Sequence, residues 1–197
     1  MKYIDLYEQF IPKLNNEPVE VSSIGSFGQR ITNKGKNKIK KQDVIVATDF
    51  SIHQIVKSEM KRLGKDANLN HIDTSQVTSM YGLFEETDFQ GDVSEWDVSN
   101  VTNMSYMFYG CSNFNCDLSK WDVHNGFDIT RMFFACKSFN QNISDWDISN
   151  VKSMESMFEG CENFNQDLSS WNVRKVRHRA QAFKNCPIKE EYKPKFK

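Results

Sequence analysis

Apolar side chains recur along the second half of the chain with a period of 25 residues. Four tryptophans keep that interval, and so do four phenylalanines and four of the five cysteines. The positions are Trp96, Trp121, Trp146 and Trp171; Phe108, Phe133, Phe158 and Phe183; and Cys111, Cys136, Cys161 and Cys186. Because several independent positions share one period, the chain contains internal repeats, each of which packs against the next.

Each repeat combines two hydrophobic patterns. In residues 117–119 the apolar Leu118 lies between polar neighbours, which predicts a short strand. In residues 101–108 the apolar residues have helical spacing, which predicts a short helix or 3-10 segment. Neither piece buries its apolar side alone. The patterns therefore predict an α/β repeat solenoid, similar to leucine-rich repeats, with about five coils over residues 66–187.

The ends of the repeat array differ from its middle. The first copy has Ile72 in place of tryptophan and a step of 24 residues, and the last copy replaces its methionines and gains arginine. Before the array, residues 52–63 have one apolar face, and we expect a capping helix that Asp49 or Ser51 starts and Gly64 ends. The predicted organisation is an N-terminal extension or attachment segment (1–48), a capping helix (49–65), the repeats (66–187) and a basic tail (188–197).

The repeat motif resembles that of a known group of bacterial surface proteins. The unit FNxDLSxWDVSNVTxMxxMFxGCxxFN is similar to the BspA-like, leucine-rich-repeat-related repeats, and the resemblance covers about residues 66–187. Such repeats are abundant in Mycoplasma lipoproteins and in surface proteins of gut bacteria, and occur in some phages and protists. The resemblance implies a right-handed solenoid and a role in binding or adhesion rather than catalysis.

Charge is distributed unevenly along a chain whose net charge is only −1. Residues 71–170 contain 16 acidic and 4 basic side chains, whereas residues 171–197 contain 9 basic and 2 acidic ones. An acidic surface steers association with a positively charged molecule, so we expect a protein partner with a basic contact surface. The lysine-rich residues 33–42 lack interleaved aromatic residues, which favours a solvated loop over a nucleic-acid site.

The polar columns of the repeats have structural explanations. No CxxC or HExxH pair occurs, so we expect the cysteine column to consist of buried free thiols rather than metal ligands. Asp97, Asp122 and Asp147 form another column, in which we expect hydrogen bonds from backbone N–H groups at the corners; calcium between coils is the alternative. No P-loop, GxGxxG or GxSxG motif is present, and we predict no enzyme activity, cofactor or small-molecule substrate.

Positions that vary between repeats are the candidates for recognition. Tyr106, Tyr109 and Phe134 are predicted to form an aromatic cluster on the helical side, and Phe127 is expected to join it. The alternative is that these rings only shield loops or fill an irregular unit. The competing surface is the strand face, because solenoids commonly bind along it. Its residues are Glu95, Asp117, Lys120, Asp145 and Asp167.

The function predicted from these patterns is a non-enzymatic protein–protein interaction module. The alternatives are a structural component of a larger assembly, such as a phage particle, and a surface adhesin without a visible export signal. The chain has no run of about 18 apolar residues that would span a membrane and no apolar signal segment near Met1. We therefore expect a location in the cytoplasm or within an assembly such as a virion.

Overall fold

The structure, a computed structural model, describes residues 44–196. The lysine-rich stretch and nearly all of the predicted N-terminal extension lie outside the described residues, as does Lys197.

A β-α-β unit opens the described chain. Strand β1 (Ile45–Thr48) pairs in parallel with strand β2 (Ile72–Gln76), and helix α1 (Ile52–Leu63) connects them. Parallel neighbours need a long crossover, and α1 supplies it. The pairing joins Ile45 to Ile72 and shifts register before Thr48.

Helix α1 lies within the range predicted for the capping helix. Ile52 and Val56 are fully buried, whereas Leu63, which was expected on the same apolar face, is 37% exposed. Gly64 ends the helix with a φ of 89°, a left-handed value that glycine adopts without a steric penalty. In the described part of the chain, no helix has the length and apolar character needed to cross a membrane.

The residues before α1 do not cap it in the predicted way. Ser51 occupies the N-cap position but makes no side-chain bond to the helix; its hydroxyl accepts the N–H of Thr48 at 2.9 Å. The carboxylate of Asp49 accepts the N–H groups of Thr78 at 2.7 Å and Ser79 at 3.1 Å. Asp49 therefore ties this segment to the first repeat instead of starting the helix.

The repeats contain little regular secondary structure. Within residues 77–189 of the described chain there is no helix or strand, and a short 3-10 helix follows at Glu190–Tyr192. Isolated parallel bridges instead join consecutive repeats. They are Asn68–Asp92, Ser79–Asn103, Asn103–Asp128, Asp128–Ser153 and Ser153–His178. Two local predictions are therefore wrong: residues 117–119 are not a strand, and residues 101–108 consist of the bridge at Asn103 and a turn over residues 105–108 rather than a helix or 3-10 segment.

The destination of the backbone N–H groups explains why residues 101–108 are not helical. Alternate N–H groups donate to carbonyls of the following repeat, as from Met104 to Asp128 at 2.9 Å and from Phe108 to Met132 at 3.0 Å. The N–H of Met107, which lies between them, closes a turn on the carbonyl of Met104 at 3.2 Å. A helix would keep all these N–H groups within its own segment, and the bonds between repeats would be lost.

Two positions in each repeat have a left-handed backbone, with φ between 51° and 75°. The first contains Gly82, Tyr106, Arg131, Ser156 and Gln181, and the second contains Glu86, Gly110, Ala135, Gly160 and Asn185. A side chain in this conformation costs about 1 kcal/mol, which bonding and packing between repeats must offset. Left-handed residues recur four positions apart in the same segment in which N–H groups alternate between bonds to the following repeat and bonds that close a turn.

Stacked columns of like residues form the core. One column contains Phe84, Phe108, Phe133, Phe158 and Phe183, with ring centroids 5.4–5.7 Å apart. A second contains Phe89, Phe114, Phe139 and Phe164, with centroids 5.8–6.1 Å apart. Within a repeat, the rings of the two columns approach to 4.0–4.3 Å. Each repeat thus packs its rings against those of its neighbours, as the 25-residue period predicted.

The buried tryptophans also link consecutive repeats. The indole N–H of Trp121 donates to the carbonyl of Val93 at 3.1 Å, and that of Trp146 donates to Leu118 at 3.0 Å. Because each donor has an acceptor, the indole can be buried without leaving an unpaired polar group.

Candidate protein-binding surface

Three half-buried rings from two neighbouring repeats lie together. The ring centroids of Tyr106 and Tyr109 are 5.5 Å apart, and those of Tyr109 and Phe134 are 4.7 Å apart with nearly parallel planes. Tyr106 has a left-handed backbone, and the N–H of Tyr109 bonds to its carbonyl at 3.0 Å, so one turn carries both tyrosines. The structure therefore contains the predicted grouping of Tyr106, Tyr109 and Phe134.

Arg131 and Tyr81 complete this group, which we call the aromatic–arginine cluster. The Nη1 of Arg131 donates to the hydroxyl of Tyr106 at 2.8 Å, and its guanidinium carbon lies 5.5 Å from the Tyr106 ring and 6.0 Å from the Phe134 ring. These distances allow cation–π attraction. The ring of Tyr81 lies 5.6 Å from that of Tyr106.

The centre of the cluster holds an unpaired donor. The Nε of Arg131 is buried and has no hydrogen-bond acceptor among the described residues. The nearby carboxylate of Glu159 is bound by Lys184 at 2.9 Å, and this bond lowers the pKa of Glu159. A buried donor without an acceptor costs about 1–3 kcal/mol, so the cluster is not at its optimum as an internal packing element.

Sequence reasoning missed the contribution of Tyr81. The first repeat is one residue shorter, and the bridge between Ser79 and Asn103 places Tyr81 opposite Ser105 rather than Tyr106. The spacing of 25 residues between Tyr81 and Tyr106 was the available signal. Arg131 was not identified either, because its contact with Tyr106 joins it to the preceding repeat.

Phe127 does not belong to the cluster, so this part of the prediction is wrong. Its ring is 53% exposed and makes no ring contact with the cluster, and the ammonium of Lys152 lies 5.1 Å from its centroid. Gly126 occupies the position of Val101 and Val151, and the methyl group of Met104 approaches the space that a Cβ would take. Phe127 therefore falls in the exposed column next to the valine column.

An open groove of about 610 Å³ surrounds Phe127. It is lined by Thr102, Asn103, Asn125, Phe127, Asp128, Asn150, Lys152 and Lys175. The amides of two of these residues are already used between repeats: Asn125 donates to the carbonyl of Ser99 at 2.7 Å, and Asn150 donates to His124 at 2.8 Å. The groove is thus an open surface feature in which the amides of Asn125 and Asn150 bond to neighbouring repeats.

The competing surface is exposed, although its residues do not lie on a strand. We call four of its residues, Glu95, Asp117, Lys120 and Asp145, the acidic face. Lys120 binds Glu95 at 3.0 Å, which neutralises part of the charge. Asp117 accepts the N–H of Ser119 at 2.9 Å, and this bond lowers its pKa. No contact joins Asp145 to the other three residues. Exposed pairs of this kind contribute little stability, so these side chains remain available to a partner.

The aspartate column accepts hydrogen bonds at the corners of the repeats, as predicted. Asp97 accepts the N–H of Ser99 at 3.0 Å and its hydroxyl at 2.6 Å, and Asp147 accepts the N–H of Ser149 at 2.9 Å. The serine hydroxyl and then the serine N–H lower the pKa of both aspartates. The weaker bond at Asp122 comes from the N–H of His124 at 3.3 Å.

These bonds predict a loss of stability in acid. A carboxylate whose pKa is lowered in the folded state stabilises the protein above its unfolded pKa of about 4, and this contribution disappears as the pH falls through the folded pKa. Asparagine keeps an acceptor oxygen but does not titrate, and Asn172 occupies the same column. The double variant Asp97→Asn/Asp147→Asn should therefore show a flatter decline in unfolding free energy below about pH 4, measured by urea denaturation.

A control is Asp145→Asn, which removes one negative charge at an exposed carboxylate that makes no hydrogen bond among the described residues. Its acid decline should follow that of the wild type. If the double variant and the wild type lose stability in parallel between about pH 5 and pH 2, the corner bonds do not stabilise the fold.

Three members of the cysteine column, Cys111, Cys136 and Cys161, are buried free thiols as predicted, whereas Cys186 in the last repeat is half-buried. Cys111, Cys136 and Cys161 donate to backbone carbonyls of the preceding repeat at 2.9–3.1 Å. Burial raises the pKa of Cys111 to about 11. Cys116 is half-buried beside Asp92, and its pKa is also raised to about 11. Since thiolate is the reactive form, these cysteines are structural. In residues 44–196, no cluster of three or more His, Cys, Asp or Glu side chains is placed to hold a metal ion.

The stacked columns and the repeated corner bonds define a repeat protein. The chain belongs to a Mycoplasma-type repeat family: the family model described as Mycoplasma protein of unknown function, DUF285, matches residues 50–144 and 85–192. Together the two overlapping matches run from the start of α1 to the 3-10 helix. No protein of curated function and no solved structure matched the chain. The resemblance seen in the motif is confirmed at the level of this repeat family.

Proposed function

We propose that the protein is a non-enzymatic interaction module that binds another protein through the aromatic–arginine cluster. The observation that carries this proposal is the buried, unpaired Nε of Arg131 among four half-buried rings. Tyrosine and arginine are enriched among the residues that dominate binding energy at interfaces. When the side chain of Arg131 turns to present this N–H, a partner carbonyl or carboxylate that accepts it would remove an unfavourable feature of the free protein.

The proposal includes a BspA-like, leucine-rich-repeat-related solenoid over residues 66–187. Parallel bridges between consecutive repeats and the stacked phenylalanine columns support this architecture. In a solenoid, positions that vary between repeats lie side by side on the surface without disturbing the core. The aromatic–arginine cluster consists of such positions.

The charge of the repeats defines the partner further. With 16 acidic and 4 basic residues over residues 71–170, the repeats carry a negative field that accelerates encounter with a basic surface. Fields of this kind act mainly on the association rate, whereas buried aromatic anchors act mainly on dissociation. The two surfaces therefore have different kinetic signatures.

The test begins by measuring how much of each partner protein is captured by the wild type and by the variants Tyr109→Ala and Phe134→Ala. A partner captured by the wild type should be lost with either variant, and binding kinetics should show dissociation at least about tenfold faster. Glu95→Gln, Asp117→Asn and Asp145→Asn should slow association, most at low salt, and leave dissociation unchanged.

Phe127→Ala is the matched control, because it removes the same ring outside the cluster and should bind like the wild type. If Tyr109→Ala and Phe134→Ala bind normally while the acidic-face variants lose the complex, the acidic face is the binding site. The captured partners also distinguish the alternatives: coat components would indicate a structural part of a particle, and host-surface proteins would indicate an adhesin.

A further inference from the structure

Hydrogen-bonded peptide units form columns that run through the repeats. The N–H of Met80 donates to the carbonyl of Asn103. The peptide unit that contains this carbonyl also contains the N–H of Met104, which donates to the carbonyl of Asp128. The N–H of Ile129 then donates to Ser153. The column ends with the N–H of Met154, which donates to His178; all four bonds measure 2.8–3.0 Å.

Three parallel columns follow the same course. They begin at the N–H groups of Gly82, Phe84 and Glu86 and end at the carbonyls of Ala180, Ala182 and Lys184. All the bonds, 2.7–3.1 Å long, point in one direction. Neighbouring dipoles largely cancel in an ordinary β-sheet. Here the four columns add, and a single column of opposite direction, from the N–H of Arg177 to the carbonyl of Thr78, offsets part of their sum. As in an α-helix, the end that exposes the larger number of N–H groups carries a partial positive charge.

The last repeat exposes this positive end. The next donors in the four columns are the N–H groups of Arg179, Gln181, Phe183 and Asn185, and no described residue accepts them. We call these four residues the C-terminal edge. Gln181 and Asn185 keep the left-handed φ of the internal repeats, at 58° and 55°. The N–H of Ala182 also closes the usual turn, on Arg179 at 3.2 Å. The four free donors therefore have the conformation in which the internal repeats bind a following chain.

The side chains around the C-terminal edge are predominantly basic. Arg177 and Arg179 are exposed, and neither pairs with a carboxylate among the described residues. The tail lies along the edge with side chains, since the ring of Phe196 lies 4.8 Å from the guanidinium of Arg179 and the ammonium of Lys193 lies 6.0 Å from the ring of Phe183. Its carbonyls do not accept the free donors. Backbone dipoles and side chains thus favour negative charge at the same place.

The opposite end of the columns is covered, which argues against a second copy as the occupant. His53 of α1 donates from Nε2 to the carbonyl of Tyr81 at 2.9 Å, and Asp49 accepts the N–H groups of Thr78 and Ser79. The capping segment therefore binds the first repeat where an additional repeat would have to stack.

We propose that the C-terminal edge binds an extended acidic segment of a partner protein. The carbonyls of that segment accept the N–H groups of Arg179, Gln181, Phe183 and Asn185, and its carboxylates face Arg177 and Arg179. Addition of a chain to an exposed backbone edge is a common mode of peptide recognition, in which main-chain bonds provide affinity and side chains provide selectivity. This surface is separate from the aromatic–arginine cluster, and either can fail without the other.

The probe is a synthetic peptide that copies residues 151–160 with Lys152→Glu, because the carbonyls of this segment accept the same column of N–H groups within the protein. Amide hydrogen exchange is followed by NMR on the full chain. Without peptide, the four edge amides should exchange at least about tenfold faster than those of Met154, Ser156, Phe158 and Gly160. Saturating peptide should slow exchange at the four edge amides.

Charge variants test the acidic preference. A peptide carrying Glu155→Lys and Glu159→Lys should bind at least about tenfold more weakly. The acidic peptide should also bind at least about tenfold more weakly to the protein variant Arg177→Gln/Arg179→Gln, in which both residues keep their backbone N–H groups. Lys61→Gln/Lys137→Gln removes an equal charge at two exposed lysines elsewhere and should leave peptide binding unchanged. The proposal is overturned if the edge amides are already protected without peptide, or if the lysine peptide binds as well as the acidic one. It is also overturned if protection of the edge amides depends only on protein concentration, because the occupant would then be a second copy of the chain.

Discussion

Phe133→Ala should lower the free energy of unfolding by about 3–5 kcal/mol. The ring is fully buried and lies in the middle of the phenylalanine columns. Its centroid is 5.7 Å from those of Phe108 and Phe158 and 4.1 Å from that of Phe139. Truncation would leave a cavity between repeats, and neighbours whose backbones are bonded on both sides can collapse only partly into it.

Phe127→Ala is the matched control for this large effect. The same atoms are removed from a ring that is 53% exposed, so the change should cost less than about 1 kcal/mol. Lys120→Ala, at an exposed ion pair, should stay within about 0.5 kcal/mol. Urea denaturation measures all three. Equal denaturation midpoints for the Phe133 and Phe127 variants would contradict the packing between repeats.

Gly91→Ala should be about as damaging, at about 3 kcal/mol or more. A Cβ at this position would lie 2.0 Å from the carbonyl oxygen of Ala67 and 2.7 Å from the ring of Phe89. The first contact is with backbone, which cannot rotate away. Relief would require separating the two chain segments and weakening the bond from the N–H of Asp92 to Ala67, now 3.0 Å.

Gly160→Ala separates this steric effect from ordinary glycine strain. Its φ is 75°, but the nearest atom to an added Cβ is 3.6 Å away, and Ala135 occupies the same position one repeat earlier. The expected cost is about 1 kcal/mol. If Gly91→Ala is no more destabilising than Gly160→Ala, the backbone of Ala67 does not lie as close to Gly91 as the structure shows. Thermal denaturation of both variants distinguishes the outcomes.

The amino-acid sequence alone determined which side chains form the core. Phe133, Trp121 and Cys136 were identified by their period. Phe133 and Trp121 stack on the equivalent rings of neighbouring repeats, and Cys136 bonds to a carbonyl of the preceding repeat, so the same chemistry is needed every 25 residues. The corner bond of Asp97 was also predictable, since it joins residues two positions apart. The grouping of Tyr106, Tyr109 and Phe134 followed from the same register.

The tertiary structure decided the backbone of residues 101–108 and the surroundings of the variable positions. Apolar spacing cannot show whether an N–H group bonds within its own segment or to the following repeat, and the latter bonds replaced the expected helix. The placement of Tyr81 and Arg131 in one cluster, and of Phe127 outside it, depends on a shortened first repeat and on Gly126. The free donors of the C-terminal edge also depended on the tertiary structure. A repeat pattern shows which N–H groups each repeat can donate to the next, but only the folded chain shows where no following repeat accepts them.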